Sequence, residues 1–135
     1  MDIGVLKEST HQEKRAAVTP NVISKIRKLG HNVLVEKDIG LNANFLDSEY
    51  AEAGATISDI SNIWSCDIIL KINKPNKDEV NKLSKAQTFI SFFSPALHPD
   101  LLMQCARDNI NVLSMDSVPR ISRAQKMDAL SSMAN

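Results

Sequence analysis

The chain has 135 residues, of which 43% are hydrophobic, and 16 Lys+Arg balance 16 Asp+Glu to a formal net charge of zero. This size and apolar content predict one folded domain spanning residues 1–135 and argue against a disordered chain. The balanced charge argues against a nucleic-acid surface, and we expect no nucleic-acid partner. No apolar run reaches the length of a membrane span, and no signal peptide precedes the first predicted strand.

Short apolar runs alternate with helix signals along the chain. Thr19-Pro20 is typical of a helix start, with Thr19 as N-cap and Pro20 as first helical residue, and Gly30 marks the end. The apolar stripe expected for this helix is Val22, Ile23, Ile26 and Leu29. Further helices are predicted over 47–53, near Val80 and Leu83, and from Pro99 onward. Strands are predicted at 2–6, 32–36, 56–57, 67–72, 88–92 and 111–114.

This alternation predicts a three-layer α/β/α fold with a mostly parallel sheet, Rossmann-like or flavodoxin-like. In such sheets ligands bind beyond the carboxyl ends of the strands. The polar stretches that follow predicted strands are therefore candidate site segments. They are residues 7–15, 73–75, 94–95 and 117–123.

One expected device of nucleotide-binding domains is absent from the sequence. The four glycines, Gly4, Gly30, Gly40 and Gly54, are too far apart for a G-x-G-x-x-G phosphate cradle, and no Walker-type loop is present. If the protein handles a dinucleotide, another segment has to hold the pyrophosphate. The two cysteines, at positions 66 and 105, lack metal or redox spacing, and we expect reduced, buried thiols in a cytosolic protein.

The last twenty residues form the most informative segment. A Pro119-Arg120 turn precedes a predicted helix that opens with the capping box Ser122-x-x-Gln125. An apolar stripe follows at Met127, Leu130 and Ala134, and polar side chains crowd the other face. From periodicity alone, that face is solvated surface and Gln125 is only a cap. The chain stops within this predicted helix, so we expect that a partner segment is missing.

Several motifs together carry a resemblance to a known family. They are Ile3-Gly4-Val5, Glu13-Lys14-Arg15 with Ala17 and Thr19-Pro20, Leu29-Gly30-His31, Ala53-Gly54-Ala55, residues 67–73 with Pro75, and the run 115–135. In this order the chain closely resembles the alpha subunits of proton-translocating NAD(P) transhydrogenases, within the wider alanine dehydrogenase and transhydrogenase family. The similarity extends over the whole chain.

The resemblance implies the N-terminal lobe of an NAD(H)-binding component, with a glycine-rich Rossmann lobe downstream. It also implies an oxidoreductase that transfers hydride between NADH and NADP⁺ (Si/Re-specific) and couples the transfer to proton translocation. NADP(H) would bind a partner domain. The implied partners are the beta subunit, a membrane domain of the same complex and a second copy of the NAD-binding component. The implied location is the cytoplasmic side of a bacterial inner membrane.

The resemblance also implies cofactor-binding residues near the nicotinamide end of NAD(H). They are Arg120, Ile121, Ser122, Arg123, Gln125, Asp128 and Ser131. Arg120 would lie near the nicotinamide ribose or carboxamide, and Gln125 and Ser131 would donate or accept hydrogen bonds. Asp128 would orient the arginine and the amide. No acid–base residue and no metal site is implied.

At two positions the sequence differs from alanine dehydrogenases, and these differences indicate which branch of the family the chain resembles more. Alanine dehydrogenases resemble this chain but carry a Lys at the place of Asn73 and a His at the place of Ser94, which hold the keto acid and exchange its proton. Arg15 remains, although an ion pair with Glu13 or Glu8 is an equally simple interpretation of it. We therefore favour a transhydrogenase over an alanine dehydrogenase. A third hypothesis is a non-catalytic folded module, and the isolated chain is expected to be inactive.

Overall fold

A computed structural model describes residues 1–8, 13–92 and 98–115. The strands in these ranges are β1 (Asp2–Val5), β2 (Asn32–Glu36), β3 (Thr56–Ser58), β4 (Ile68–Leu70), β5 (Thr88–Ser91) and β6 (Asn111–Ser114). The helices are α1 (Pro20–Lys28), α2 (Asp47–Glu52), α3 (Ile60–Trp64), α4 (Lys77–Lys82) and α5 (Pro99–Arg107), with a 3₁₀ turn at Leu41–Ala43. The predicted α/β/α class is confirmed.

The sheet has the strand order β3-β2-β1-β4-β5-β6, and every described pairing is parallel. This is the order of the doubly wound sheets that bind dinucleotides, rather than the flavodoxin-like order. The direction of winding reverses between β1 and β4. A crevice therefore opens at the carboxyl ends of these two strands.

Two apolar cores cover opposite faces of the sheet, as strand alternation requires. Val5, Val33 and Val35 pack with Ile23 of α1 and Tyr50 of α2. On the other face, Ile69 and Phe89 belong to the core that α3, α4 and α5 complete, and both cysteines are buried there as free thiols. Because both faces of the central strands are covered, those strands are short apolar runs.

Helix α1 begins as predicted but presents a narrower face to the core. Thr19 Oγ1 accepts a hydrogen bond from the backbone N–H of Val22 at 3.4 Å, so it caps the helix. Ile23 is fully buried, whereas Val22 and Leu29 are 38% and 75% exposed. The predicted stripe is confirmed for Ile23 and for Ile26, which packs against the same core. It was wrong for Val22, which lies in the first turn and is partly exposed, and for Leu29, because the helix ends at Lys28.

Helix α3 was not predicted. It has five residues, fewer than two turns, so periodicity has little to act on. It packs so closely on β1 that a Cβ added at Gly4 would lie 2.8 Å from the backbone oxygen and from Cγ2 of Ile63. Gly4 is thus required by this close approach.

Candidate functional site

The reversal in strand order directs attention to the segments that follow β1 and β4. Of the four candidate stretches, the structure describes residues 7–8 and 13–15 of the first and all of 73–75. These two stretches are brought together across the crevice, as expected. Residues 94–95 and 117–123 lie outside the described residues.

The carboxylate of Glu8 joins the two strand ends. Its Oε2 accepts the backbone N–H of Ile72 at 2.9 Å, and its Oε1 accepts the backbone N–H of Asn73 at 3.0 Å. Oε1 also accepts the side-chain amide of Asn73 at 3.1 Å. A carboxylate from the β1 loop therefore satisfies the first free backbone donors beyond β4.

Asn73 connects Glu8 to a second carboxylate. Its Nδ2 donates to Glu13 Oε1 at 3.2 Å, and Glu13 pairs with Arg15 through Nε at 2.8 Å and Nη2 at 2.9 Å. The ion-pair interpretation of Arg15 is thus confirmed, with Glu13 as its partner. We name these four side chains, Glu8, Glu13, Arg15 and Asn73, the crevice cluster.

The two carboxylates of the crevice cluster have pKa values shifted in opposite directions. Hydrogen bonds from the Arg15 side chain, then from its backbone N–H and from Asn73, lower the pKa of Glu13 to about 2 against the burial that opposes them. Burial raises the pKa of Glu8, although backbone N–H groups and Lys71 oppose that shift. Glu8 therefore favours the folded state more as the pH falls, and Glu13 does the reverse.

We expect the stabilisation from Glu13 to be lost as the pH falls from 4.5 toward about 2. Its folded pKa lies below the unfolded value, so the ionised form stabilises the native state above that window. Urea unfolding at a series of pH values, compared with Glu13→Gln, measures this loss. Glu52→Gln, an exposed carboxylate on α2, is the matched control. An unchanged pH slope in Glu13→Gln would contradict the assignment.

A buried ion pair supports the β4 side of the crevice. Lys71 Nζ lies 2.9 and 3.0 Å from the two carboxylate oxygens of Glu79, and the Lys71 side chain is 1% exposed. Glu79 also closes a capping box with Asn76, so the pair ties the first turn of α4 to the end of the strand. Sequence reasoning missed this pair. Its signal was a lysine at the end of an apolar strand, followed by Asn-x-x-Glu.

An apolar hollow of about 150 Å³ lies at the same edge of the sheet. Among the described residues, its lining consists of Ala17, Leu70, Lys71, Ile72, Ile90, Phe92 and Met115. Ala17 is two residues from Arg15, and Ile72 directly precedes Asn73. Ile72 also donates its backbone N–H to Glu8 Oε2 at 2.9 Å, so the hollow adjoins the crevice cluster through this residue.

The seven residues predicted to bind cofactor lie outside the described residues, as does Ser94. They are Arg120, Ile121, Ser122, Arg123, Gln125, Asp128 and Ser131. They follow β6 in the sequence, and the carboxyl end of β6 lies at the same edge of the sheet as the crevice. Their roles stay predictions.

Neither a metal cluster nor a membrane-spanning helix occurs among the described residues. They contain no group of three or more His, Cys, Asp or Glu side chains arranged to hold a metal ion. None of their helices combines the length and the apolar character that crossing a bilayer requires.

The model of the alanine dehydrogenase/PNT N-terminal domain family matches residues 4–135. The chain belongs to this family. It is 46% identical over 135 residues to NAD(P) transhydrogenase subunit alpha of Haemophilus influenzae, covering all of this chain and 26% of that protein. The resemblance inferred from the motifs is thereby confirmed.

Solved structures agree with the family assignment. The transhydrogenase from Sinorhizobium meliloti superposes with a TM-score of 0.93 at 31% identity, over 99% of this chain and 40% of that one. An L-alanine dehydrogenase superposes with a TM-score of 0.85 at 27% identity, over 92% of this chain and 34% of that one. The chain spans about a quarter of the length of the Haemophilus subunit and corresponds to an N-terminal domain of this family.

Proposed function

We propose that this chain is the N-terminal part of the NAD(H)-binding component of a proton-translocating NAD(P) transhydrogenase. The reaction would be direct hydride transfer between NADH and NADP⁺, Si/Re-specific and coupled to proton translocation. The similarity to transhydrogenase alpha subunits over the whole chain supports this proposal. The competing activity is oxidative deamination by an alanine dehydrogenase.

The observation that carries the choice is the environment of Asn73. Its amide nitrogen bridges the carboxylates of Glu8 and Glu13, at the position where an alanine dehydrogenase carries a lysine. An amide neither titrates nor supplies a positive charge, so it cannot assist proton exchange on a keto acid. Arg15 is the cation of the crevice cluster, and its charge is already paired with Glu13. Ser94, the second departure, is consistent with the same choice.

The crevice suits a nicotinamide better than a whole dinucleotide. The strand order and the apolar hollow fit the aromatic end of such a ligand. The connection from β1 to α1 contains no glycine, so it offers no close backbone approach to a pyrophosphate. We therefore propose that a downstream Rossmann lobe holds the phosphates. NADP(H) would bind a separate partner domain.

The further partners follow from the same proposal. The complete protein would associate with a transhydrogenase beta subunit and with the membrane domain of the complex. The NAD-binding component would form a homodimer. This part of the complex would lie on the cytoplasmic side of the bacterial inner membrane.

Hydride transfer between two nicotinamide rings requires positioning and needs no acid or base from the protein. We assign that positioning to the segment after β6. Arg120 would contact the ribose or carboxamide, and Gln125 and Ser131 would form hydrogen bonds. Asp128 would orient Arg120. Ile121, Ser122 and Arg123 complete the proposed cofactor-binding set.

Replacing Arg120 by alanine in the complete enzyme is expected to slow hydride transfer about 100-fold, because small misplacements of reacting rings have effects of that order. The melting temperature should stay close to that of the unmodified enzyme. Stopped-flow transhydrogenation with NADH and an NADP⁺ analogue measures the rate. Arg107→Ala, an exposed arginine in the last turn of α5, is the control. Unchanged turnover in Arg120→Ala would remove this residue from the site.

The isolated chain is expected to bind NADH weakly, with a dissociation constant above about 1 mM, because it lacks a phosphate cradle. Calorimetric titration of the 135-residue chain measures this affinity. Micromolar binding would contradict the division of the ligand between two lobes. Under the proposed function the same chain, taken alone, is a non-catalytic folded module.

A further inference from the structure

The hydrogen bonds within the crevice cluster leave a defined set of polar atoms for a ligand. Glu13 accepts from Arg15 Nε, Arg15 Nη2, the Arg15 backbone N–H and Asn73 Nδ2. Glu8 accepts from two backbone N–H groups and from the same Nδ2. Both carboxylates are thus used within the protein. Neither depends on a ligand for its hydrogen bonds.

The orientation of the Asn73 side chain follows from its neighbours. Two carboxylate oxygens face the amide, and a carboxylate only accepts, so the amide presents its nitrogen to them. Its oxygen Oδ1 then remains as an acceptor. No hydrogen bond from a described residue reaches this oxygen.

Arg15 contributes the complementary donor. Its Nε and Nη2 are bound to Glu13, and its Nη1 makes no hydrogen bond to any described residue. The side chain is 39% exposed, so a ligand can reach it. The crevice cluster thus offers unused N–H donors on the Arg15 guanidinium and one acceptor on the Asn73 amide.

A carboxylate ligand fits these atoms poorly. It would approach a cluster in which two carboxylates outnumber one guanidinium, and it would meet the lone pairs of Asn73 Oδ1 without a proton to share. A primary carboxamide has one acceptor and two donors and carries no charge. It can accept from Arg15 and donate to Asn73.

We propose that Arg15 and Asn73 form a subsite for a neutral primary carboxamide, with the attached aromatic ring in the adjoining apolar hollow. The hollow of about 150 Å³ has the size of a cavity that accepts a benzene-sized ring. Ala17 and Ile72 connect it in sequence to the two polar residues. This proposal rests on the proposed function for the source of the carboxamide, which is one of the two nicotinamide rings.

The first test uses this chain with two small probes that differ in one group. Nicotinamide carries the carboxamide, and nicotinate carries a carboxylate on the same ring. In ¹H–¹⁵N NMR titrations we expect nicotinamide to shift the Asn73 side-chain amide, Arg15 Nε–H and the Ala17 backbone amide. Nicotinate should bind at least tenfold more weakly. Equal or tighter binding of nicotinate would overturn the proposal.

Variants show whether nicotinamide binding depends on the two subsite residues. Asn73→Ala and Arg15→Lys should each weaken nicotinamide binding at least fivefold, while Asn62→Ala, an exposed asparagine on α3, should not change it. The dispersed NMR spectrum of each variant shows whether it is folded. Arg15→Lys retains the charge, so it tests the guanidinium geometry even if Asn73→Ala fails to fold. Nicotinamide binding that survives in a folded Arg15→Lys variant would overturn the assignment.

A second test in the complete enzyme identifies the ring. If the subsite holds the NAD(H) ring, Arg15→Lys should raise the Kd for NADH and leave the KM for NADP⁺ unchanged. If it holds the NADP(H) ring, the reverse is expected. No change in either constant would overturn the proposal. An enzyme that transfers no hydride between the two nucleotides would instead refute the proposed function, and the titrations with nicotinamide would still decide on the subsite.

Discussion

Lys71→Met is expected to destabilise the folded chain by about 3–5 kcal/mol, because it leaves the carboxylate of Glu79 on α4 without its buried cation. The pair has N–O distances of 2.9 and 3.0 Å, and both side chains are largely shielded from water. Urea unfolding monitored by circular dichroism measures the change.

Two further variants distinguish a buried ion pair from the simple loss of a lysine. Lys28→Met, at the exposed end of α1, should alter the free energy of unfolding by less than about 0.5 kcal/mol. The double variant Lys71→Met/Glu79→Leu should recover most of the loss, since the carboxylate of Glu79 is removed together with its cation. About 1 kcal/mol should stay lost, because Glu79 also caps α4. A loss below about 1 kcal/mol in Lys71→Met would contradict this account.

Gln87→Leu is expected to destabilise the chain by about 3 kcal/mol, since it leaves three backbone groups without partners. The Gln87 amide donates to the carbonyl oxygens of Trp64 and Cys66 at 2.6 and 2.7 Å. Its oxygen accepts the backbone N–H of Ser84 at 2.6 Å. These bonds join the start of β5 to the connection between α3 and β4. Thermal unfolding of the variant measures the loss.

The matched control is Gln104→Leu on α5. The Gln104 side chain forms one exposed hydrogen bond, to Asn81 Oδ1 at 2.7 Å, so we expect an effect of less than about 0.5 kcal/mol. Equal losses in the two glutamine variants would show that burial of the Gln87 amide is unimportant.

The fold class could be predicted because its signals are local. Apolar runs marked the strands, and Thr19-Pro20 marked the start of α1, where the structure has the predicted cap. Helix α3 could not be predicted from a five-residue pattern. The exposure of Leu29 could not be predicted either, because it depends on where the helix ends relative to the sheet.

The candidate site was predictable in outline only. The segments after β1 and β4 were expected at one edge, and both contribute to the crevice cluster. The contact between Glu8 and Asn73 joins residues 65 positions apart, and no local pattern reports it. The same limit applies to Lys71, whose partner lies on a helix packed over the strand.

By itself, the sequence determined the family, the alternation of strands and helices, and the absence of a glycine-rich phosphate loop, since these depend on residue identity and short-range periodicity. The tertiary structure alone decided that β1 lies beside β4 and that Glu8 binds the backbone and side-chain amides of Asn73. The physical reason is that strand order and side-chain partners are set by packing between distant segments. Patterns among neighbouring residues carry no information about that packing.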